Sequence, residues 1–473
     1  NLVLNLSPYE VQFAENRPFF LESTDLFNKG GLFYSRRVGS EGQLFNASKF
    51  SGRTSSSTGI GVFQAFARDT SDGANALTSY NVSVLDQNLP NNGYITALST
   101  ATVRTDGGRD AYVQGTEFSF RNRDNSWEFG GTAARNTMAQ GDTTSHEEGH
   151  TWGVNAARTS GQLRGEIRHY RESEFYNPND LGYLAAPNEL ATFASIEYGI
   201  YQPFGVFNRM WWNLDTEINH LYAPREYSNW TWAGEWAGVT KTFWFSKVGF
   251  EAQPRTGRDW FDSRLDGIPF QTPRWNSVEF VTSTDYRRAI ALDGFVKRRW
   301  RPEVADWDEF FLRLAPRFRF NDRLSVDYVW SWQVRHNERG WVDVVDDLPT
   351  GPVSLFGRRE NTSNTHVLNA SYIFTPTASL SARIRHYWSI VDYEEFYALN
   401  ADGSLGDGQT FNERYLNVEE GTSSQDVNYN AWSVDLVYRW IFSPGSELSI
   451  VWKNTLSDRG QALPNGYWDN WQD

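Results

Sequence analysis

From Leu324 to Arg335, apolar and polar side chains alternate with a period of two. Leu324, Val326, Tyr328, Trp330, Trp332 and Val334 fall on one face; Ser325, Asp327, Ser331, Gln333 and Arg335 fall on the other, with Val329 the exception. This pattern predicts a strand with one greasy side and one wet side. The run exceeds the roughly five or six residues usual in soluble sheets. It suits the roughly nine to eleven tilted residues that cross a bilayer.

Segments of the same kind recur along the chain. Strands are predicted near 44–53, 58–68, 79–88, 93–104, 112–121, 126–137, 147–158, 161–173, 191–202 and 207–221. Others follow near 226–238, 241–253, 275–287, 289–300, 308–320, 323–336, 362–374, 377–390, 428–441 and 445–454. The wet faces carry charge: Arg164 and Arg168; Asp215 and Glu217; Arg313 and Arg317; Asp327 and Arg335; Arg383 and Arg385; Asp435 and Arg439. Opposite some of these stand Leu312, Leu314, Leu380, Ile384, Trp432, Val434 and Leu436.

The connections add a rhythm. Turn residues at 90–93, 160–161, 240–241, 287–288, 321–322 and 443–445 predict short links, and polar stretches at 174–190, 254–274, 337–361 and 391–427 predict long ones. Short turns alternating with long loops are expected of an up-and-down transmembrane β-barrel. The expectation is an all-β, antiparallel barrel of roughly 20–22 strands occupying 43–473, with segment 1–42 at or in its periplasmic mouth. Leu32–Val38 is expected to supply the first strand. The tail from Thr455 reads as a loop ending at Trp471-Gln472-Asp473, so one closing strand is expected to be missing.

Composition fits. Hydrophobic residues are only 39% and the longest apolar runs are short, which excludes a helical membrane protein but not a barrel, whose strands average out as polar. Aromatic residues reach 16%, with 21 Trp, in keeping with membrane-interface girdles. There is no Cys, which removes disulfides, thiolate metal sites and cysteine nucleophiles. A net charge of −14 speaks against a nucleic-acid partner. The chain begins at Asn1 without Met or a signal peptide, so targeting cannot be read directly.

The first fifty residues differ from the rest. Ala14-Glu15-Asn16-Arg17-Pro18-Phe19-Phe20-Leu21-Glu22, Asp25-Leu26-Phe27, Leu32-Phe33-Tyr34-Ser35-Arg36-Arg37-Val38-Gly39 and Ala47-Ser48-Lys49-Phe50-Ser51-Gly52-Arg53 resemble a bacterial family called domain of unknown function 5916. The resemblance implies a surface protein of Gram-negative bacteria, often Bacteroidetes, whose C-terminal part is an outer-membrane barrel. It also implies a preceding domain similar to family 9 carbohydrate-binding modules, which this chain lacks. It implies no activity. From the residues themselves, Arg17, Glu22, Asp25, Arg36 and Arg37 beside Phe19, Phe20, Phe33 and Tyr34 read as a charge-rich plug segment, the alternative being an exposed linker.

Other motifs weigh less. His146-Glu147-Glu148-Gly149-His150 spells a zinc-protease signature, but that chemistry needs a helix, and the flanking Thr151-Trp152-Gly153-Val154 alternates as a strand. Asp343, Asp346 and Asp347, and separately Asp402, Asp407 and Glu413, have calcium-type oxygens but match no EF-hand loop. Trp468 and Trp471, in a polar tail, are candidates for partner contact. The expectation is a non-enzymatic outer-membrane barrel for passage or partner docking, without cofactor or metal. Its expected partners are membrane lipid, lipopolysaccharide and a periplasmic or surface protein. The rivals are an outer-membrane enzyme with its site on the outer loops and a carbohydrate-binding surface protein.

Overall fold

The structure is a computed structural model that describes residues 2–22, 24–69, 76–140, 146–304, 306–346, 348–349, 351–406, 409–417, 422–464 and 466–471. Among these, twenty strands join one antiparallel, up-and-down sheet. No helix is long and apolar enough to cross a membrane. The chain divides into two compact units, one of Tyr9–Tyr198 with Asp215–Ser228, the other of Asn1–Pro8, Gly199–Leu214 and Asn229–Asp473.

In the first unit the strands Gln43–Arg53, Thr58–Asp69, Ala76–Asn88, Tyr94–Arg104 and Arg109–Arg121 pair in sequence order. One face of this meander is apolar and covered. Phe63, Ala65, Ala67, Tyr80, Val82, Val84, Leu98 and Val113 are buried there against Phe20, Leu26, Phe27, Leu32 and Val38. Phe20, Leu26 and Phe27 come from two short helices, Pro18–Leu21 and Thr24–Phe27, while Leu32 and Val38 directly follow the 3-10 turns Lys29–Gly31 and Ser35–Arg37. Each large side chain buried this way contributes about 1.5–3 kcal/mol, enough to hold a segment with little helix of its own. Two glycines permit the approach: a Cβ at Gly61 would lie 3.0 Å from the Phe27 ring, and one at Gly115 2.5 Å from Leu32. The open face of the same strands mixes exposed Ile60, Val62, Leu85 and Ile95 with a polar row of Gln64, Asn81, Ser83, Ser99 and Gln114.

Leu32–Val38 is therefore not the first strand. Leu32 and Val38 both turn into the core, and the Tyr34 amide donates to the Leu181 carbonyl across 2.6 Å. The adjacent Arg36 and Arg37 reach back to Ala14 and Glu10, which a flat strand would not allow.

In the second unit, Phe245–Gln253, Trp275–Ser283, Ile290–Trp300, Asp308–Arg319 and Leu324–Val345 pair in order, followed by Val353–Thr375, Ala378–Ala398, Val427–Ser443 and Ser446–Gly460. Here the expected division of faces appears directly. The apolar face is exposed, with Val248 50%, Phe250 48%, Val278 48%, Phe280 42% and Ile450 57% accessible.

The predicted loops at 337–361 and 391–427 are largely strand. Leu324–Val345, Val353–Thr375 and Ala378–Ala398 run 22, 23 and 21 residues, roughly 70 Å each at the strand rise. Their distal halves lose alternation because both faces are covered, as in any doubly buried strand. Leu355, Val391 and Phe396 pack with Leu4, Leu6 and Phe411; the adjacent Phe356 stacks on Phe270 at 4.3 Å from the opposite side. Bulges between Arg335 and Glu338 and between Trp341 and Asp343 blur the period further. The short–long rhythm holds in part of this unit: 241–244, 320–323, 376–377 and 444–445 contrast with 254–274 and 399–426, while 284–289, 301–307 and 346–352 are nearly equal in length. In the first unit only 173–188 is long.

The packing of the N-terminal segment makes a direct prediction. Because the chain has no native Cys, a Leu26→Cys variant reports the segment alone. That thiol is expected to resist a bulky maleimide, whereas Phe45→Cys, 54% exposed, should react at once. Adding Gly115→Val should cost about 1–3 kcal/mol by overpacking against Leu32 and speed Leu26→Cys labelling.

Candidate functional site

Two arrangements concentrate charge. The first holds the N-terminal segment. Arg17 stacks on the Phe20 ring at 4.1 Å, donates to the Ser35 carbonyl (2.6 Å) and the Val38 carbonyl (3.1 Å), and pairs with Glu15 at 2.8 Å. Burial would raise the Glu15 carboxyl, but Arg17 and the Ser35 hydroxyl outweigh it and hold it at about 2. Arg37 pairs with Glu10 at 2.5 Å, and Arg36 donates to the Ala14 carbonyl at 2.6 Å. The acids that pair with the predicted arginines are thus Glu10 and Glu15, while Glu22 and Asp25 are exposed. The Glu22 backbone carbonyl does take part: Lys49 Nζ donates to it and to the Phe19 carbonyl, 2.6 Å each. Phe19 and Phe20 meet edge to face at 5.2 Å and both flank Phe63. Tyr34 donates to the Phe13 carbonyl at 3.1 Å.

Asp86 fastens the segment to the strands. Its carboxylate is fully buried and accepts from Lys29 (2.8 Å), Arg53 (2.6 Å) and Thr96 (2.6 Å). A second knot joins Arg104 to Glu41 and Asp180, with Arg109 also on Asp180 at 3.0 Å.

The second arrangement is a chain of ion pairs across the polar face of the second unit. Lys297 and Arg299 meet Glu251 (2.7 and 3.6 Å), Arg299 and Arg335 meet Glu309 (3.7 and 3.5 Å), and Arg335 and Arg359 meet Glu338 (3.4 and 2.8 Å). Beside it Lys247 bridges Glu235 (3.3 Å) and Glu279 (2.6 Å). Exposed pairs are worth little singly. The Arg359–Glu338 end is buried, and there Arg359 and Arg335 overcome the upward push of burial to keep Glu338 below its ordinary range.

Of the twelve predicted wet-face residues, Arg335 belongs to this chain. Arg317 and Asp327 pair with each other at 2.6 Å, and Arg383 and Asp435 are cross-strand neighbours. Arg313 faces Ser331 across the ladder, and Arg439 pairs with Glu447 at 2.5 Å. Arg385 is buried and donates to the Leu2 carbonyl at 2.9 Å. In the first unit Arg164 meets Glu197 at 3.7 Å, Arg168 lies over Phe193, Glu217 accepts from Asn219, and Asp215 is half-buried. The sequence reading missed Lys247, Glu251, Glu279, Lys297, Glu309, Glu338 and Arg359. Alternation in their own strands would have found the first five; Glu338 and Arg359 lie beyond it, in the doubly covered extension.

The remaining motifs fall apart in space. His146–Arg158 is a strand, so His146 and His150 stand about 13 Å apart along it. Among the described residues no group of acids and histidines is arranged to hold a metal. Asp402 caps its own turn by accepting from Ser404 at 2.6 Å; Asp347 and Asp407 lie outside the described residues. Trp468 is 76% exposed against Tyr467; the side chain of Trp471 lies outside the described residues.

Two outcomes follow. Asp86→Ala leaves Lys29 and Arg53 without their carboxylate. Because both cations are partly solvated, the loss should be about 2–3 kcal/mol, below that of a fully buried pair, read as a lower urea midpoint. Asp262, in the connection 254–274, is pushed up to about 6 by burial and then by Asp259. The folded state therefore holds its proton more tightly than the unfolded state. Its contribution to stability falls as pH rises from about 4 to about 6 and stays low above that. Asp262→Asn should raise the unfolding free energy at pH 8 by up to about 2–3 kcal/mol, read as a higher urea midpoint, and leave it unchanged at pH 4.

A family model described as a domain of unknown function (DUF5916) matches residues 1–43 and 40–473. No curated protein matches the chain. The clamped N-terminal segment and the strands that hold it are covered by one family model, and the chain belongs to the DUF5916 family.

Proposed function

We propose that this protein is an integral outer-membrane β-barrel of a Gram-negative bacterium, used for passage or partner docking and without catalytic chemistry of its own. One observation carries the reading: the second unit is inside out relative to a soluble fold. Its exposed face bears Val248, Phe250, Val278 and Phe280, while the opposite face of the same strands carries Lys247, Glu251 and Glu279 in ion pairs. Soluble monomers rarely expose apolar patches beyond a few hundred Å². A bilayer removes that penalty, and a wet lumen accounts for the charges. Closure of the sheet into a barrel is part of the proposal, since an open edge in hydrocarbon leaves backbone groups unpaired.

In this reading the N-terminal segment is a plug. It is fixed by a buried aromatic core and by Asp86, so passage would require it to yield or leave. The periplasmic or surface partner expected from the sequence would act on this segment.

The test is reconstitution of the whole chain in lipid with conductance recording, beside Asp86→Ala and a variant lacking residues 1–42. The plugged-barrel reading expects detergent-dependent solubility, a small current from the intact chain and a larger one when the plug is loosened or deleted. Stable solubility without detergent would end the membrane reading. Insertion with no current in any variant would leave docking and remove passage.

A further inference from the structure

At one end of the exposed apolar face the surface changes character. The ladder rung Val296–Leu312–Trp332 is apolar; the next is Arg298–Phe310–Val334, and the one beyond it is Trp300–Asp308–His336. There a groove of about 480 Å³ opens, lined by Arg298, Trp300, Arg301, Trp307 and His336, with Asp306 and Asp308 also on its wall. It lies beside the connection 301–307, at the end of the strands away from the short turns.

The charges in this groove are unevenly compensated. Arg298 has one contact with Asp308, at 3.2 Å, and its side chain is 63% exposed, so most of its five N–H donors remain available. His336 is held by Glu360 at 2.7 Å, and the Asn337 side-chain Nδ2 donates to the Asp306 carbonyl at 3.3 Å. Arg301 stacks on the Trp307 ring at 3.8 Å and, among the described residues, has no carboxylate within ion-pair distance. Burial, and then the nearby Arg299, pull its guanidinium down to about 10. Glu309 and Glu338 pull the other way without closing an ion pair, so this half-buried arginine is only partly compensated.

We propose that this groove binds the phosphate-bearing headgroup of a membrane lipid, with Arg301 and Arg298 on the phosphate and the acyl chains lying down Val296, Leu312, Val278 and Phe280. The proposal rests on the barrel reading, which puts this rung at the bilayer boundary. The shape of the surface favours a lipid over free phosphate. A Trp-walled groove with two arginine side chains, running into an exposed apolar face, matches an amphiphile, and Arg forks match phosphate oxygens.

The full chain would be purified in detergent and offered lipid A, the same glycolipid without its phosphates, or inorganic phosphate, with retained lipid counted by native mass spectrometry. Wild type should retain the phosphorylated form roughly tenfold better than the dephosphorylated one. Arg298→Gln with Arg301→Gln should erase that preference, a loss the size of a charge-assisted contact. Arg301→Lys should restore part of it, and Arg288→Gln, on an exposed short turn, should keep it all. Equal retention of both glycolipids by a membrane-inserted protein would overturn the groove and leave the barrel intact. Displacement of lipid A by inorganic phosphate at matched concentration would make it a free-anion site and overturn the lipid assignment. A chain soluble without detergent would sink the membrane reading itself.

Discussion

The constraint on which this fold depends is that a strand has two faces, and each must be satisfied separately. In the second unit one face can be left apolar only because the other neutralises its charges internally, from Lys297 through Glu251, Arg299, Glu309, Arg335 and Glu338 to Arg359. No single pair in that chain is strong. Linked together, they let acids and bases share a surface with most of their charge compensated, and they join residues of five strands, reaching across Trp275–Ser283 from Glu251 to Lys297. Slipping one strand by a residue would move its charges to the greasy side and its Trp and Leu to the wet one.

The first unit meets the same constraint differently. Its covered face has no charge ladder along Phe63, Val82, Leu98 and Val113; a segment of its own chain is laid over it, with Gly61 and Gly115 as the low points that receive Phe27 and Leu32. The buried carboxylate of Asp86 sits at the edge of this apolar contact, where Lys29 of the segment and Arg53 of the sheet both reach it. Apolar burial supplies the affinity and the ion triad supplies the position.

Much of the strand order was legible because alternation survives wherever one face is greasy and the other wet. Leu324–Val334 and the segment around Leu436 are examples, and their wet-face charges came with them. Legibility failed where that physics changes. Past Arg335 the strands are covered on both sides and bulged, so Gly340, Trp341 and Leu355 carry no period and read as loop. Leu32–Val38 has the composition of a strand but follows the demands of a core, with Arg36 and Arg37 turned back on the preceding chain. The pairing of Arg17 with Glu15 and of Arg37 with Glu10 was hidden because short turns, not periodicity, decide which acid comes within reach.

The bond from Arg385 to the Leu2 carbonyl joins groups 383 residues apart in sequence. The ladders, by contrast, each form between neighbours in the chain. Hairpins can therefore assemble progressively, at low loop-closure cost, while the first residues have nothing to settle on until the strand Ala378–Ala398 exists. Residues made before every strand of the sheet are then among the last to be seated. During that interval Leu2, Leu4 and Leu6 are exposed to whatever chaperone or protease is present, and the time to completion is set by the far end of the chain.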